Sequence, residues 1–83
     1  MKGLHYTYLL KCSDDSFYCG YTIDLARRIK EHNSPKSKTK YTRVRSPVIL
    51  KYYEEFKTKE EAMKREYEIK QMSRKKKMEL ILT

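Results

Sequence analysis

Two short aromatic segments, HYTYLLK at residues 5 to 11 and FYCGY at 17 to 21, are separated only by Cys12-Ser13-Asp14-Asp15-Ser16, a run of turn formers. Strand-forming residues on both sides of such a turn predict a β-hairpin. Side chains alternate along a strand, so Tyr6, Tyr8 and Leu10 share one face of the first segment, and Tyr18 and Gly20 share a face of the second. Tyr8 and Tyr18 then project from the same side.

The hairpin cannot stand alone, and the rest of the chain supplies what covers it. Thr22 or Asp24 can cap a following helix in which Leu25, Ile29 and His32 fall at i, i+4 and i+7, with Arg28 on the same stripe. Residues 34 to 46 hold Lys36, Lys38, Lys40, Arg43 and Arg45 with no acid, and are expected to form a long, flexible basic loop. Pro47 opens a third strand, VILKYYEEF, ending near Phe56. Thr58-Lys59-Glu60-Glu61 fits a capping box, so a helix is expected from about Lys59 to Met72, its apolar face passing through Ala62 and Ile69 with Glu66 between them. Ser73 caps a last helix whose Met78, Ile81 and Leu82 are expected to turn inward. The resulting fold class is α+β: a three-stranded antiparallel sheet with flanking helices, in the order β-β-α-β-α-α. The first strand is expected at the centre. One domain spanning residues 1 to 83 accounts for the whole chain, and a chain this short has a modest core.

Charge narrows the function classes. Twenty Lys and Arg against 11 Asp and Glu leave a net charge of +9, so polyanions are the expected partners. Nucleic acid is favoured over membrane, because no segment approaches the roughly 20 apolar residues of a spanning helix. No apolar stretch follows Met1-Lys2, and a cytoplasmic protein is expected. The cations concentrate in the 36 to 45 segment and in Arg74-Lys75-Lys76-Lys77, where they oppose the dipole at the start of a helix. Both clusters are candidate phosphate contacts across a duplex, giving affinity without sequence information. Cys12 and Cys19 are too few for a disulfide framework. With His5 and His32 they make four scattered nominal ligands, so no zinc site is expected.

Several polar groups sit where an apolar residue fits the pattern better. Glu66 interrupts an apolar helix stripe, which costs stability unless it is paired, with Arg28 or Lys70 for example, or binds a metal. Arg28 either snorkels to water or offers a planar fork to a phosphate. His32 lies one turn further on.

These residues carry a resemblance. The tripeptides Tyr6-Thr7-Tyr8 and Tyr18-Cys19-Gly20, the D-L-x-R-R-I-K-x-H-N helix and the R-E-x-x-I-K helix resemble the GIY-YIG nuclease superfamily, and in length and ending its small single-domain bacterial group, UPF0213. The resemblance implies a divalent-metal-dependent endonuclease cutting DNA, with Tyr8 as general base on the attacking water and Tyr18 orienting water or phosphate. It further implies that Gly20 keeps the pocket open, that Arg28 clamps the scissile phosphate, that His32 supports proton transfer, and that Glu66 anchors one Mg²⁺ or Mn²⁺. Some relatives act on branched or damaged DNA and in repair with a second domain or subunit, so structure-selective or partner-directed cutting is the expectation. One carboxylate suffices for such an ion, which keeps waters and takes phosphate oxygens. Tyrosine with a pKa of about 10 is a poor base at neutral pH; Arg28, a protonated His32 and the metal are expected to stabilise its phenolate. The chain departs from the pattern in its first tripeptide, where a bulky ring replaces glycine and threonine replaces isoleucine. It also has no asparagine after Asn33, Gln71 being the only amide there. The alternative readings are a catalytically silent nucleic-acid-binding module on the same scaffold and an interaction protein whose polar set only stabilises a small core.

Overall fold

The computed structural model describes residues 3–82; the expected domain boundaries at residues 1 and 83, and Met1-Lys2, lie outside the described residues. Strands β1 (His5–Lys11), β2 (Phe17–Thr22) and β3 (Ile49–Phe56) form one antiparallel sheet in the order β2-β1-β3. Helices α1 (Leu25–His32), α2 (Lys40–Arg43), α3 (Lys59–Lys70) and α4 (Arg74–Leu82) complete the fold. The first strand is central, as expected.

Burial along the strands shows how the layers are arranged. Thr7, Tyr8, Leu9 and Leu10 are buried in succession, which requires cover on both faces of β1. Tyr8, Leu10, Cys12 and Val48 pack with Tyr18, Leu25, Ile29 and Tyr41 on one face. On the other, Leu9, Cys19 and Ile69 pack with Phe17, Tyr52, Leu80 and Ile81. Helix α1 and the α2 segment thus cover the Tyr8 face, while α3 and α4 cover the opposite one. Edge strand β3 instead alternates between exposed and half-buried residues.

Local signals set the helix ends. Asp24, not Thr22, caps α1 by accepting from the Arg27 backbone N–H. Thr58 caps α3: its hydroxyl accepts from the Glu61 N–H, the first half of a capping box, and donates to the Glu61 carboxylate. The Ser73 hydroxyl accepts from the Lys76 N–H. Asn33 then ties α1 to β3: its side chain donates to the Val48 carbonyl (3.1 Å) and accepts the Val48 N–H (2.6 Å).

Two expectations are corrected. Residues 34–46 do not form a featureless loop. They contain α2, whose Thr42 has no exposed surface, and Arg45 stacks on the Tyr41 ring at 4.0 Å and pairs with Asp14 at 2.9 Å. A four-residue helix is too short to show a periodicity, and its anchors are distant in sequence. In α4, Leu80 and Ile81 face inward, whereas Met78 is 43% and Leu82 80% exposed. A run of apolar residues cannot all face one way on a helix; the inner stripe is 77, 80 and 81, spaced i, i+3, i+4. Among the described residues no helix is long and apolar enough to cross a membrane.

Candidate active site

The site begins at the Tyr8–Gly20 pair, which the hairpin register places directly opposite each other. A Cβ on residue 20 would stand 2.4 Å from the Tyr8 hydroxyl oxygen and 2.5 Å from Cζ. The Tyr8 ring therefore lies across Gly20, and glycine is needed there for close approach rather than for backbone freedom. So placed, the Tyr8 hydroxyl meets His32 Nε2 at 2.8 Å and receives the Arg28 Nε–H at 3.4 Å.

The α1 stripe delivers both partners. His32 has no exposed surface, and its Nδ1 lies 2.7 Å from the Thr42 hydroxyl. Arg28 directs Nη1 to Glu31 (2.9 Å) and Nη2 to Thr39 Oγ1 (3.3 Å). Three of its five N–H groups are engaged in this way, leaving two for a ligand. Burial works against the Arg28 charge, but the bonds to Tyr8 and Glu31 more than offset it and raise its pKa.

The electrostatics correct one expectation. His32 is not protonated at neutral pH: burial, then the nearby Arg28, push it down to about 4. Burial likewise pushes the Tyr8 phenol up to about 12; Arg28 pulls it back, and the charge of Glu66 adds to the rise. The sequence suggested a phenolate stabilised by an imidazolium. The folded protein holds a neutral phenol beside a neutral imidazole.

Of the remaining residues, Tyr18 joins through its ring, with centroids 5.1 Å from His32, 6.5 Å from Tyr8 and 5.8 Å from Tyr41. Tyr6 shares the Tyr8 face and meets Tyr53 edge-on at 6.0 Å. Glu66 lies on α3, where its backbone carbonyl accepts from Cys19 Sγ at 3.8 Å. Its carboxylate pairs with Lys70 (3.4 Å) and is only 14% exposed. It forms no hydrogen bond with Tyr8, Tyr18, Arg28 or His32 among the described residues, and acts on Tyr8 through its field. Gln71 is the exposed C-cap residue of α3.

A lone carboxylate limits the metals that fit. Among the described residues no three His, Cys, Asp or Glu side chains converge, so a protein-caged ion has no donors. Glu66 suits a hard ion such as Mg²⁺ or Mn²⁺ that keeps its waters. Cys12 and Cys19 are free and buried, and burial raises both thiols.

The basic residues divide unequally. Depressions of about 340 Å³, lined by Ser34, Lys36, Ser37 and Lys38, and about 480 Å³, lined by Tyr21, Ile23, Asp24 and Arg27, flank Arg28 and Glu31. Lys40 and Arg43 are exposed. The second cluster lies over the opposite face of the sheet, so the two do not form a single platform. Arg74 donates to the Asp15 carbonyl and sits over the Phe17 ring (4.9 Å), and Lys77 is half-buried on the inner stripe of α4. Lys75 and Lys76 remain outward, Lys76 4.0 Å from Glu79. Arg45 and Arg74 grip the 12–16 turn from opposite faces.

Sequence reasoning passed over Glu31, Thr39 and Thr42. Glu31 stood at ion-pair spacing from Arg27 and Arg28, which reads as a solvated helix surface, and the i, i+3 spacing of the two threonines in a Ser/Thr-rich stretch reads as loop.

With this geometry in place, the comparisons decide the family. A model of the GIY-YIG catalytic domain matches residues 4–79. The chain belongs to the GIY-YIG family. Its relatives are UPF0213 proteins: one from Staphylococcus saprophyticus is 54% identical over 77 residues, 93% of each chain, and one from Halobacterium salinarum is 52% identical over 71 residues, 86% of this chain and 91% of that one. The solution NMR structure of a Bacillus halodurans UPF0213 protein matches this GIY-YIG domain at a TM-score of 0.60 and 52% identity, covering 94% of this chain and 82% of that one. That of an E. faecalis protein matches at 0.62 and 46%, covering 92% and 80%. The observed element order is thus that of solved relatives, and the family is one of nucleases.

Proposed function

We propose that this GIY-YIG domain is a divalent-metal-dependent endonuclease that hydrolyses DNA phosphodiester bonds in the cytoplasm, selecting its substrate by structure or through a protein partner. The observation that carries this reading is the continuous hydrogen-bonded path from Arg28 through Tyr8 to His32. A buried phenol 2.8 Å from an imidazole nitrogen can accept a water proton while it passes its own proton on.

Burial raises the Tyr8 phenol to about 12 and lowers His32 to about 4, so both are neutral at neutral pH in the free protein. A standing phenolate is therefore excluded, and the proton moves only as water attacks. In that step the water proton goes to the Tyr8 oxygen while the Tyr8 proton goes to His32 Nε2. The new O–P bond forms, the P–O bond to the leaving sugar breaks, and the leaving oxygen takes a proton from solvent. Arg28 stabilises the charge passing through Tyr8, and its two free N–H groups hold phosphate oxygens. Glu66 is the group that would hold the metal, which supplies Lewis-acid stabilisation of the phosphoryl oxygens when bound.

Two observations favour a second reading, the silent nucleic-acid-binding module: Tyr8 is only 1% exposed, and Glu31 already engages Arg28. Incubation with supercoiled, linear and branched DNA in Mg²⁺ or Mn²⁺ separates the two. Cutting lost in Tyr8→Phe, Arg28→Ala and Glu66→Ala supports the endonuclease. Salt-dependent binding without cutting supports the silent module, and cutting that persists in all three variants refutes the mechanism.

A further inference from the structure

Thr42 has no exposed surface, although it lies within a run of exposed cations. Its hydroxyl carries one proton and two lone pairs. The Thr39 carbonyl, 3.2 Å away within the same turn of chain, is an acceptor for that proton. The hydroxyl oxygen is then left to accept, and the group in front of it is His32 Nδ1 at 2.7 Å. With the hydroxyl proton on that carbonyl, two bare acceptors at 2.7 Å would repel, so Nδ1 would carry the imidazole proton; that leaves Nε2 as a lone pair 2.8 Å from the buried Tyr8 hydroxyl, whose own proton needs an acceptor.

We propose that Thr42, oriented by the Thr39 carbonyl, is a positioning residue that fixes the His32 tautomer and thereby the direction in which the Tyr8 proton can move. Its catalytic consequence rests on the endonuclease reading; its structural content does not. With the opposite tautomer, Nε2–H donates to Tyr8, and the phenol has nowhere to send a proton. The same short segment also holds the other partner of Tyr8, since the Thr39 hydroxyl accepts from Arg28 Nη2. Thr39 and Thr42 thus join the basic 34–46 segment to both ends of the proton path, which is a physical reason for that segment to be anchored.

The tautomer is directly readable by nitrogen NMR of the imidazole ring in the intact chain. Wild type and Thr42→Ser are expected to show protonated Nδ1 and bare Nε2. In Thr42→Val, which matches the volume but removes the acceptor, the Nδ1–H population falls. Thr39→Val leaves the tautomer unchanged, because the Thr39 carbonyl and not its hydroxyl takes the Thr42 proton. Cleavage is expected to fall by about 100-fold in Thr42→Val, the lower range for loss of general-base assistance, and to stay within a few-fold of wild type in Thr42→Ser. Protonated Nε2 in the wild type, or a His32 in Thr42→Val indistinguishable from wild type, overturns the proposal. Should Thr42→Val fail to fold, Thr42→Ala, which also removes the acceptor, takes its place in the same measurement, and an unchanged tautomer there overturns the proposal. Should the wild type cut no DNA, the endonuclease reading fails, and the tautomer measurement judges Thr42 on its own.

Discussion

Replacing Gly20 by alanine probes the packing on which the site is built. The added methyl would stand 2.4 Å from the Tyr8 hydroxyl oxygen, 2.5 Å from Cζ and 3.1 Å from Cε1. All three atoms belong to a ring that is 1% exposed and held at its far end by His32 and Arg28, so the ring cannot slide away at low cost. Overpacking of this kind costs about 1 to 3 kcal/mol. If the ring moves enough to break its bond to buried His32, the unsatisfied imidazole adds about 1 to 3 kcal/mol. Both together come to about 2 to 6 kcal/mol, which lowers Tm by roughly 10 to 35 °C in a domain of this size. Thermal unfolding followed by circular dichroism measures the drop, and DNA cleavage, where present, should fall with it because the hydroxyl is displaced.

A double-mutant cycle assigns the cause. In a Tyr8→Leu background the side chain ends near the level of the ortho ring carbons, short of the space the methyl needs, so Gly20→Ala should then cost well under 1 kcal/mol. The coupling between the two positions accordingly approaches the full overpacking penalty. An unchanged Tm in Gly20→Ala, or equal penalties in both backgrounds, would show that the ring does not lie over Gly20 and would refute the reasoning.

Further predictions concern charge and packing. The folded pKa of His32, about 4, lies below its ordinary value of 6.5, so the unfolded chain takes up a proton that the folded protein refuses. Stability is therefore complete above pH 6.5 and falls by up to about 3 kcal/mol as pH drops towards 4; urea unfolding at pH 7, 6 and 5 tests this, and a flat response counts against a buried neutral His32. Lys36→Ala and Lys38→Ala should each reduce the slope of log affinity for duplex DNA against log salt by about 0.9, whereas Lys77→Ala, on the inner stripe of α4, should change it much less. Thr7, fully buried with its hydroxyl on the Ala62 carbonyl at 2.6 Å, should lose about 1 kcal/mol on replacement by valine, with no effect on cleavage beyond the stability change. Glu66→Gln should weaken Mn²⁺ binding, read by electron paramagnetic resonance, while leaving the fold intact, since among the described residues the carboxylate pairs only with half-exposed Lys70.

What the sequence made legible was local. The hairpin, the Leu25–Ile29–His32 stripe and the Thr58 cap each depend on residues within a turn or two of one another, and each stands where the pattern put it. Groups whose state depends on distant partners were not legible. The charge of His32 is set by burial under a segment ten residues away, so its place on a helix face said nothing about its protonation. Thr42 gave no signal of burial, because a threonine in a cationic stretch reads as solvent-exposed until its partner is known. Lys77 belonged to a run that looked uniformly exposed, and only the packing of α4 assigned it to the inner stripe.

The altered first tripeptide shows how strand geometry keeps packing changes away from chemistry. Alternation along β1 sends Tyr6 and Tyr8 to the α1 face and Thr7 to the α3 face. A polar residue at position 7 therefore meets the backbone of α3, where the Ala62 carbonyl accepts its hydrogen bond, and never reaches the hydroxyl of Tyr8. The ring of Tyr6 is turned towards Tyr53 on β3, away from the β2 side where the Tyr8 ring crosses Gly20. Both departures are absorbed by neighbours outside the Arg28–Tyr8–His32 path. Glycine stands at position 20, where an added Cβ would press on the hydroxyl and ring of Tyr8 and so on that path.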